Sequence, residues 1–214
     1  MEANLAVRLR PTASDRPPWA TWLVGALCLL AFLAAQFAGN LIDQVHEVWR
    51  HLRPDQVFRS AAFWRFALPA TLLHTGPLHL AINLWCLWVF GPLFEHRRGG
   101  FALLGLWVAV AYGAMGVETM IGGLGRIGLS GFTYALLGAA IIHWRALRAS
   151  KRQVRTAMVM LILLAWGVLE LAHPMTPPSG IAHIAHVAGV ILGVCVEGSL
   201  MAFGRPPTPS TRHE

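Results

Sequence analysis

One serine, Ser130, stands between small residues at the start of an apolar stretch, in the run Gly128-Leu129-Ser130-Gly131-Phe132-Thr133-Tyr134-Ala135. A serine hydroxyl is a weak nucleophile, and it attacks a carbonyl only when a neighbouring base takes its proton. His186 is a candidate base because Gly189 and Gly193 follow it by three and seven residues, on the same helical face. Small residues on that face allow a second helix to approach closely. The pattern favours nucleophilic chemistry by Ser130 with His186 as the base.

A matching stripe of small residues follows Ser130. Gly131, Ala135 and Gly138 recur at helical spacing beside Ser130 and Tyr134. We therefore predict that the two segments pack together and bring Ser130 within hydrogen-bonding reach of His186. Glycine stripes are also ordinary packing features of membrane helices, and a lone serine is often bonded to its own helix. The combination of the serine and the small-residue stripes with a histidine in an apolar segment favours a catalytic site over ordinary packing.

A second polar group lies in the run His74-Thr75-Gly76-Pro77-Leu78-His79-Leu80-Ala81-Ile82-Asn83. His79 and Asn83 are four residues apart, so on a helix they project from one face and can donate to one oxygen. Such donors stabilise an oxyanion, by about 3 to 4 kcal/mol each in a low-dielectric site. Alternatively, the pair is satisfied within the bundle. A metal site is disfavoured because no carboxylate or cysteine is spaced with the histidines at 74, 79, 183 and 186, and we expect no cofactor.

The composition places these residues in a membrane protein. Hydrophobic residues make up 56% of the chain and charged residues 13%, whereas soluble domains are about 45 to 50% apolar. The net charge of +7 comes from clusters between apolar runs rather than from one basic patch, which excludes nucleic-acid binding. The three cysteines lie in separate apolar runs and predict no disulfide framework.

Six stretches are apolar and long enough to be membrane helices, so the fold class is an all-α bundle of six transmembrane helices. The first is read as a retained anchor because it is longer than the apolar region of a signal peptide. The stretches run from Trp19 to Phe37, Pro77 to Phe94, Phe101 to Ile121, Ser130 to Trp144, Thr156 to Leu171, and Ile181 to Phe203.

The basic residues orient this bundle. An even number of crossings puts both termini on one side, and with the N-terminus inside, twelve Lys and Arg residues are inside and five outside. The positive-inside rule then predicts cytoplasmic termini and a large first external loop from Gly39 to Gly76. The apolar and charged residues of that loop predict partial residence in the membrane interface.

Helix length also predicts the depth of the serine. Ser130 to Arg145 is fifteen residues, or about 22 Å, against about 30 Å of hydrocarbon. Ser130 should therefore lie about 8 Å below the outer surface. The glycine-rich segment before it must enter the membrane, and irregular backbone there is tolerated when it is buried or lines a water-filled cavity. A wet pocket beside Ser130 is expected.

Three acidic residues, Glu118, Glu170 and Glu197, lie in or near apolar stretches, where an ionisable group is a functional candidate. Glu118 or Glu170 would be placed to orient His186 as the acid of a triad. Their position near outer helix ends favours a structural role instead. His183 shares the helical face of His186 and either tunes it or faces the pocket.

In order along the chain, these features resemble the rhomboid family of intramembrane serine proteases. The resemblance covers nearly the whole chain, and it rests on Trp64-Arg65, on His74, His79 and Asn83, on Gly91 to Gly99 around Glu95 and Arg97, and on the runs GLSGFTYALLG and AHVAGVILG. It implies a catalytic dyad of Ser130 and His186, which Tyr134 supports by stacking on the histidine and which Gly128, Gly131 and Gly189 accommodate. It implies an oxyanion hole of His79, Asn83 and backbone N–H groups. Structural roles are implied for Trp64, Arg65, His74, Glu95 and Arg97.

The resemblance also implies what the protein acts on. Its substrates would be membrane-anchored proteins in the lipid bilayer, cleaved near the outer ends of their transmembrane helices, and its location the bacterial inner membrane with an external-facing site. The expected organisation is a cytoplasmic segment 1–18, a six-helix domain 19–204 and a cytoplasmic tail 205–214. The alternatives are an inactive rhomboid-like protein that binds client helices, a variant that processes C-terminal sorting tails, and a transporter or channel that uses the histidines as a proton path.

Overall fold

The computed structural model describes residues 17–37, 40–122, 126–142, 150–172 and 183–203. Within these ranges the chain is helical and contains no strand. The helices are α1 (Trp19–Phe37), α2 (Leu41–Arg50), a 3₁₀ helix (Pro54–Arg59), α3 (Ala61–Leu72), α4 (Pro77–Arg98), α5 (Gly100–Gly122), α6 (Ser130–Ile142), α7 (Lys151–Ala172) and α8 (His183–Phe203).

Four of the described helices, α1, α4, α5 and α8, are long and apolar enough to cross a membrane. Helix α6 is apolar, and its described part has 13 residues. Helix α7 begins at Lys151, five residues before the predicted fifth span. The first, second and fourth predicted spans begin at the residues where α1, α4 and α6 begin. The predicted end of the fourth span at Trp144 and the start of the sixth at Ile181 lie outside the described residues. The all-helical class is confirmed, four described helices have the length and composition of membrane spans, and the predicted number of six crossings stays a prediction.

The predicted first external loop is largely helical, because it contains α2, the 3₁₀ helix and α3. Its apolar side chains Val45, Trp49 and Phe63 are buried and form a small core with Met115 of α5. The Trp64 indole donates to the Phe58 carbonyl at 2.9 Å. This segment is therefore a folded cap on α5.

Trp64 and Arg65, for which the family resemblance implied a structural role, have different environments within this cap. Trp64 lies 4.9 Å from the ring of Tyr112 in α5, and the Tyr112 hydroxyl donates to the Trp64 carbonyl at 3.0 Å. Arg65 is exposed, and its guanidinium lies over the Phe66 ring at 5.6 Å. Trp64 thus attaches the cap to α5, whereas Arg65 lies on its surface.

The serine-bearing helix α6 lies at the centre of the bundle. Every residue from Phe132 to Ala140 is buried, and α4, α5 and α8 all pack against this helix. Since α6 is almost wholly enclosed, its apolar composition is required by protein packing as much as by lipid.

Helices α6 and α8 meet backbone to backbone. A Cβ atom at Gly189 would overlap the carbonyl oxygen of Gly131, and one at Gly193 would overlap that of Ala135. In the opposite direction, a Cβ atom at Gly138 would overlap the carbonyl oxygen of Val190. The predicted pairing of the two small-residue stripes is confirmed.

A buried carboxylate joins α4 to the start of α1. Glu95 accepts hydrogen bonds from the amides of Ala20 and Thr21 at 2.9 and 2.8 Å, and from the Thr21 hydroxyl at 2.7 Å. The first amides of a helix have no intrahelical acceptor, and the helix dipole favours a negative charge there. Glu95 therefore caps α1, whereas Arg97, two residues later, is exposed.

The Glu95→Gln substitution is expected to destabilise the protein by about 2 kcal/mol, since it replaces charge-assisted hydrogen bonds and turns an amide NH₂ group towards N–H donors. The measurement is thermal unfolding in detergent micelles. Arg97→Gln is the control, because it removes an exposed charge from the same helix end. Equal melting temperatures for both variants and the wild type would contradict the capping role.

Candidate active site

A glycine with a positive φ angle positions the start of α6. Gly128 has a φ of +120°, a conformation that side chains other than glycine rarely adopt. Its amide donates to the Ala70 carbonyl of α3 at 3.0 Å, and a Cβ atom on it would lie 2.7 Å from the His79 ring. The loop into α6 is thus held between the cap and α4, with Ser130 as the first helical residue.

Ser130 and His186 lie side by side. The His186 Nε2 atom is 2.8 Å from the Ser130 Oγ atom, and His186 is 7% exposed. At this distance a serine hydroxyl donates to a neutral imidazole, which is the arrangement that activates a nucleophile. The backbone contact of α6 with α8 brings the two side chains together, as the glycine stripes predicted.

The His186 ring is held on its far side by Tyr134. The two rings stack with centroids 4.4 Å apart and planes 27° apart. The Tyr134 hydroxyl donates to the Met160 carbonyl of α7 at 2.9 Å. Tyr134 therefore fixes the imidazole plane relative to both α6 and α7.

The acid beside this pair contacts helix backbone. Glu118 is 3% exposed and accepts a hydrogen bond from the Ala185 amide in the first turn of α8 at 2.8 Å. The other carboxylate oxygen of Glu118 lies 3.9 Å from Nε of Arg126. His183, whose ring is 6.1 Å from that of His186, is close enough to interact electrostatically with the Glu118 carboxylate. This placement supports the structural interpretation of Glu118, and the side chain of Glu170 lies outside the described residues.

The two proposed oxyanion donors are arranged differently from each other. The His79 ring lies against Gly128, and its Nδ1 atom is 3.3 Å from the Thr75 hydroxyl. When that hydroxyl donates to Nδ1, Nε2 carries the proton and can donate. Asn83 is 3% exposed and uses one amide hydrogen on the His79 carbonyl at 2.9 Å. The structure therefore places His79 beside the serine loop and Asn83 one turn farther along α4.

A second histidine is buried just before α4. His74 is 1% exposed, its Nδ1–H donates to the Leu72 carbonyl at 3.0 Å, and its ring lies 5.0 Å from that of His79. Burial lowers the pKa of His74 to about 4, and the nearby His79 adds to the shift. His74 is therefore neutral at pH 7 and supports the His79 ring.

The low pKa of His74 predicts a loss of stability in acid. The unfolded chain takes up this proton below pH 6.5 but the folded protein only near pH 4, so the free energy of unfolding falls as the pH drops between these values. The contribution of His74 is at most about 3 kcal/mol. His74→Asn keeps a donor for the Leu72 carbonyl but cannot titrate, so its melting temperature should fall less between pH 7 and pH 4.5. Parallel losses in wild type and variant would assign the acid sensitivity elsewhere.

A small cavity adjoins Ser130, where a wet pocket was expected. It offers about 20 Å³ to the centre of a water molecule, and about 10 to 15 Å³ is enough for one water. Its walls are Thr71, Val110, Ala114, Met115, Arg126, Ile127, Gly128, Ser130, Gly131, Phe132 and Ala185. The cavity lies between the cap, α5 and the loop into α6.

Several hydrogen-bond partners in this site have no signature in the sequence. The acceptor for Tyr134 is a carbonyl of α7, and the donor to Glu118 is an amide of α8. No sequence pattern identifies a backbone partner on a distant helix. Thr75 was detectable, because it is a hydroxyl residue only four positions before His79, just outside the start of α4.

The comparisons with known proteins agree with this architecture. A family model described as the Rhomboid domain matches residues 60–203. The chain is 32% identical to the protein named Rhomboid protease GlpG of Serratia proteamaculans over 182 residues, covering 84% of the chain and 60% of that relative. It is 28% identical over 179 residues to the protein of that name from Haemophilus influenzae, and the match covers 81% of the chain and 86% of that relative. The identity to the Rhomboid protease GlpG of Salmonella choleraesuis is 28% over 185 residues, and the match covers 86% of the chain and 64% of that relative. The chain thus spans less than two thirds of the Serratia and Salmonella relatives.

Proposed function

Since the chain belongs to the rhomboid family, we propose that it is an intramembrane serine endopeptidase whose catalytic dyad is Ser130 and His186. The observation that carries the proposal is the 2.8 Å contact between Ser130 Oγ and His186 Nε2. Because the contact joins two helices enclosed in a membrane bundle, the reaction would take place below the membrane surface. No cofactor is required for this chemistry.

In the first half of the reaction, the Ser130 oxygen attacks a peptide carbonyl carbon while His186 Nε2 takes the hydroxyl proton. The carbonyl oxygen becomes an oxyanion. The donors available to it are Nε2–H of His79, the second amide hydrogen of Asn83 and the amides of Ser130 and Gly131 in the first turn of α6.

In the second half, the peptide C–N bond breaks and the His186 imidazolium protonates the leaving amine. A water then loses a proton to His186 and attacks the acyl-enzyme, which releases the carboxylic acid and returns the proton to Ser130. The cavity beside Ser130 has room for about one water near this ester.

The substrates on this proposal are membrane-anchored proteins whose helix unwinds locally at the cleavage site. A fully hydrogen-bonded helix shields its carbonyls, so the scissile bond must be in extended or irregular backbone. The domain would be the six-span unit 19–204 with both termini in the cytoplasm and the site open to the external side. The relatives named above are bacterial, which supports the bacterial inner membrane as its location.

The proposed activity is tested with purified protein in detergent or liposomes. A fluorescent transmembrane substrate reports cleavage, and a serine-reactive phosphonate followed by mass spectrometry reports the labelled residue. We expect cleavage and a single adduct on Ser130. A folded protein that neither cleaves such substrates nor is labelled at Ser130, together with proton flux across liposomes, would favour a transporter instead.

Removal of an oxyanion donor is expected to slow the reaction without unfolding the protein. His79→Leu or Asn83→Ala should each lower kcat by about 10² to 10³-fold with a small change in KM, because an oxyanion donor acts mainly in the transition state. The exposed Ile82 of the same helix provides the control, as Ile82→Ala. A kcat near that of the wild type in either donor variant would remove that residue from the oxyanion hole.

A further inference from the structure

We propose that the ion pair between Arg98 and Glu197 is a positioning device, which sets the register of α8 along its axis and thereby the distance from His186 to Ser130. The proposal rests on the proposed protease function. It assigns the pair a role in the rate of serine acylation in addition to its contribution to folding.

The geometry of the pair is well suited to fix a position. The Arg98 Nε atom lies 3.1 Å from both carboxylate oxygens of Glu197, and Nη2 lies 2.8 Å from Oε1. The Glu197 residue is 1% exposed, and the Arg98 side chain is 23% exposed. A planar guanidinium on a buried carboxylate is directional, so it resists displacement more than a point charge does.

The pair joins the two helices that carry the proposed base and oxyanion donors. Glu197 follows His186 by eleven residues in α8, which is about three helical turns or 16 Å, on the same face. Arg98 is the last residue of α4, the helix that also holds His79 and Asn83. Gly99 ends α4 immediately afterwards with a φ of +89°. The end of α4 is therefore a fixed point for α8.

The contact between α6 and α8 explains why such a fixed point is needed. Gly189 and Gly193 face main-chain carbonyls of α6, so at these positions no side chain of α8 inserts between side chains of α6. Knobs in holes are what normally set the register of packed helices, and a glycine face supplies none. A shift of α8 along its axis by the rise of one residue, about 1.5 Å, would lengthen a 2.8 Å contact across the axis to about 3.2 Å, which is the outer limit of a good hydrogen bond, and would misalign the Ser130 hydroxyl with His186 Nε2.

The opposite end of α8 is held by a separate contact. Glu118 of α5 accepts the Ala185 amide at 2.8 Å, one residue before His186. A contact at each end would hold His186 against both sliding and tilting. Because Glu118 binds only the first turn of α8, loss of the ion pair between Arg98 and Glu197 should still allow the rest of α8 to move.

The test separates positioning from folding. Arg98→Leu combined with Glu197→Leu removes both charges, and apolar replacement of a buried ion pair is generally tolerated. Arg97→Leu is the matched control, because Arg97 is the exposed neighbour of Arg98. The readouts are the melting temperature, kcat and KM with a transmembrane substrate well below that temperature, and the rate at which a small phosphonate labels Ser130.

We expect the folded Leu-Leu variant to show a kcat at least tenfold below that of Arg97→Leu, with KM within about twofold. Phosphonate labelling should slow in parallel, since it requires the dyad but no docked substrate helix. Arg98→Lys keeps the charge with a single contact point, so it should lie between the two.

A folded Leu-Leu variant with control values of kcat and labelling rate would overturn the proposal and leave the pair a purely structural contact. If the Leu-Leu variant does not fold, Arg98→Lys decides, and unchanged kcat and labelling in that folded variant would overturn the proposal. Failure of the protease function itself is distinguishable, because the wild type would then neither cleave nor be labelled.

Discussion

Ser130→Ala is expected to lower kcat for cleavage of a transmembrane substrate by at least about 10⁴-fold, because no acyl-enzyme can form without the hydroxyl. The residue is partly exposed at the first position of α6, where alanine is accommodated without a steric clash. The melting temperature should therefore change little. The measurement is single-turnover cleavage in detergent with the folded fraction determined in the same sample.

His186→Ala should have an effect of similar size, and the double variant should be no slower than either single variant. The two residues act as one unit, so once one of them is replaced, replacement of the other lowers kcat little further. His51→Ala serves as the control, since His51 is exposed at the end of α2. Wild-type cleavage by either single variant would disprove the dyad, and multiplicative losses would mean that the two residues act independently.

The parts of this site that could be predicted from sequence are those in which residues of one type recur at helical spacing. The stripe Gly131, Ala135 and Gly138 and the stripe Gly189 and Gly193 identify two helix faces that can approach backbone to backbone. Packing these two faces together places Ser130 and His186 on neighbouring helices at the start of each stripe, so their proximity followed from the spacing of the small residues.

The remaining contacts depend on partners that leave no trace in a local pattern. Glu95 binds amides 74 and 75 residues away, and Glu118 binds an amide 67 residues away. Every residue has a backbone amide, so composition does not single these out. The helical part of the segment that forms the cap was partly predictable, since Leu41, Val45 and Trp49 recur every four residues in α2. Its charged residues, however, suggested an interfacial loop rather than a folded cap.

Asn83 illustrates a different limit. Its spacing from His79 correctly places both residues on one face of α4, but a side-chain amide one turn from a carbonyl can also bond its own helix. The structure has that bond at 2.9 Å. Spacing therefore predicts which residues share a face, but not which of several acceptors a donor selects.

Gly193→Ala is expected to damage both stability and activity, because the added methyl group would overlap the Ala135 carbonyl. A carbonyl in a buried helix cannot rotate away, so α8 must move away from α6. His186 lies on α8 two turns away, and a displacement of about 1 Å at reacting groups costs about 10²-fold in rate. We expect at least that loss in kcat and a melting temperature lower by several degrees.

Gly198→Ala, five residues farther along the same helix, is the matched control. Among the residues that the structure describes, a Cβ atom there would meet the Ile142 Cδ1 atom alone, at 4.0 Å. Alanine also favours a helix over glycine by about 1 kcal/mol. This variant should keep wild-type kcat with an equal or higher melting temperature. If both variants behave alike, close approach at Gly193 is not what holds His186 beside Ser130. If Gly193→Ala melts like Gly198→Ala but is still slow, the glycine face acts through the position of His186 alone, because overall packing would then be intact.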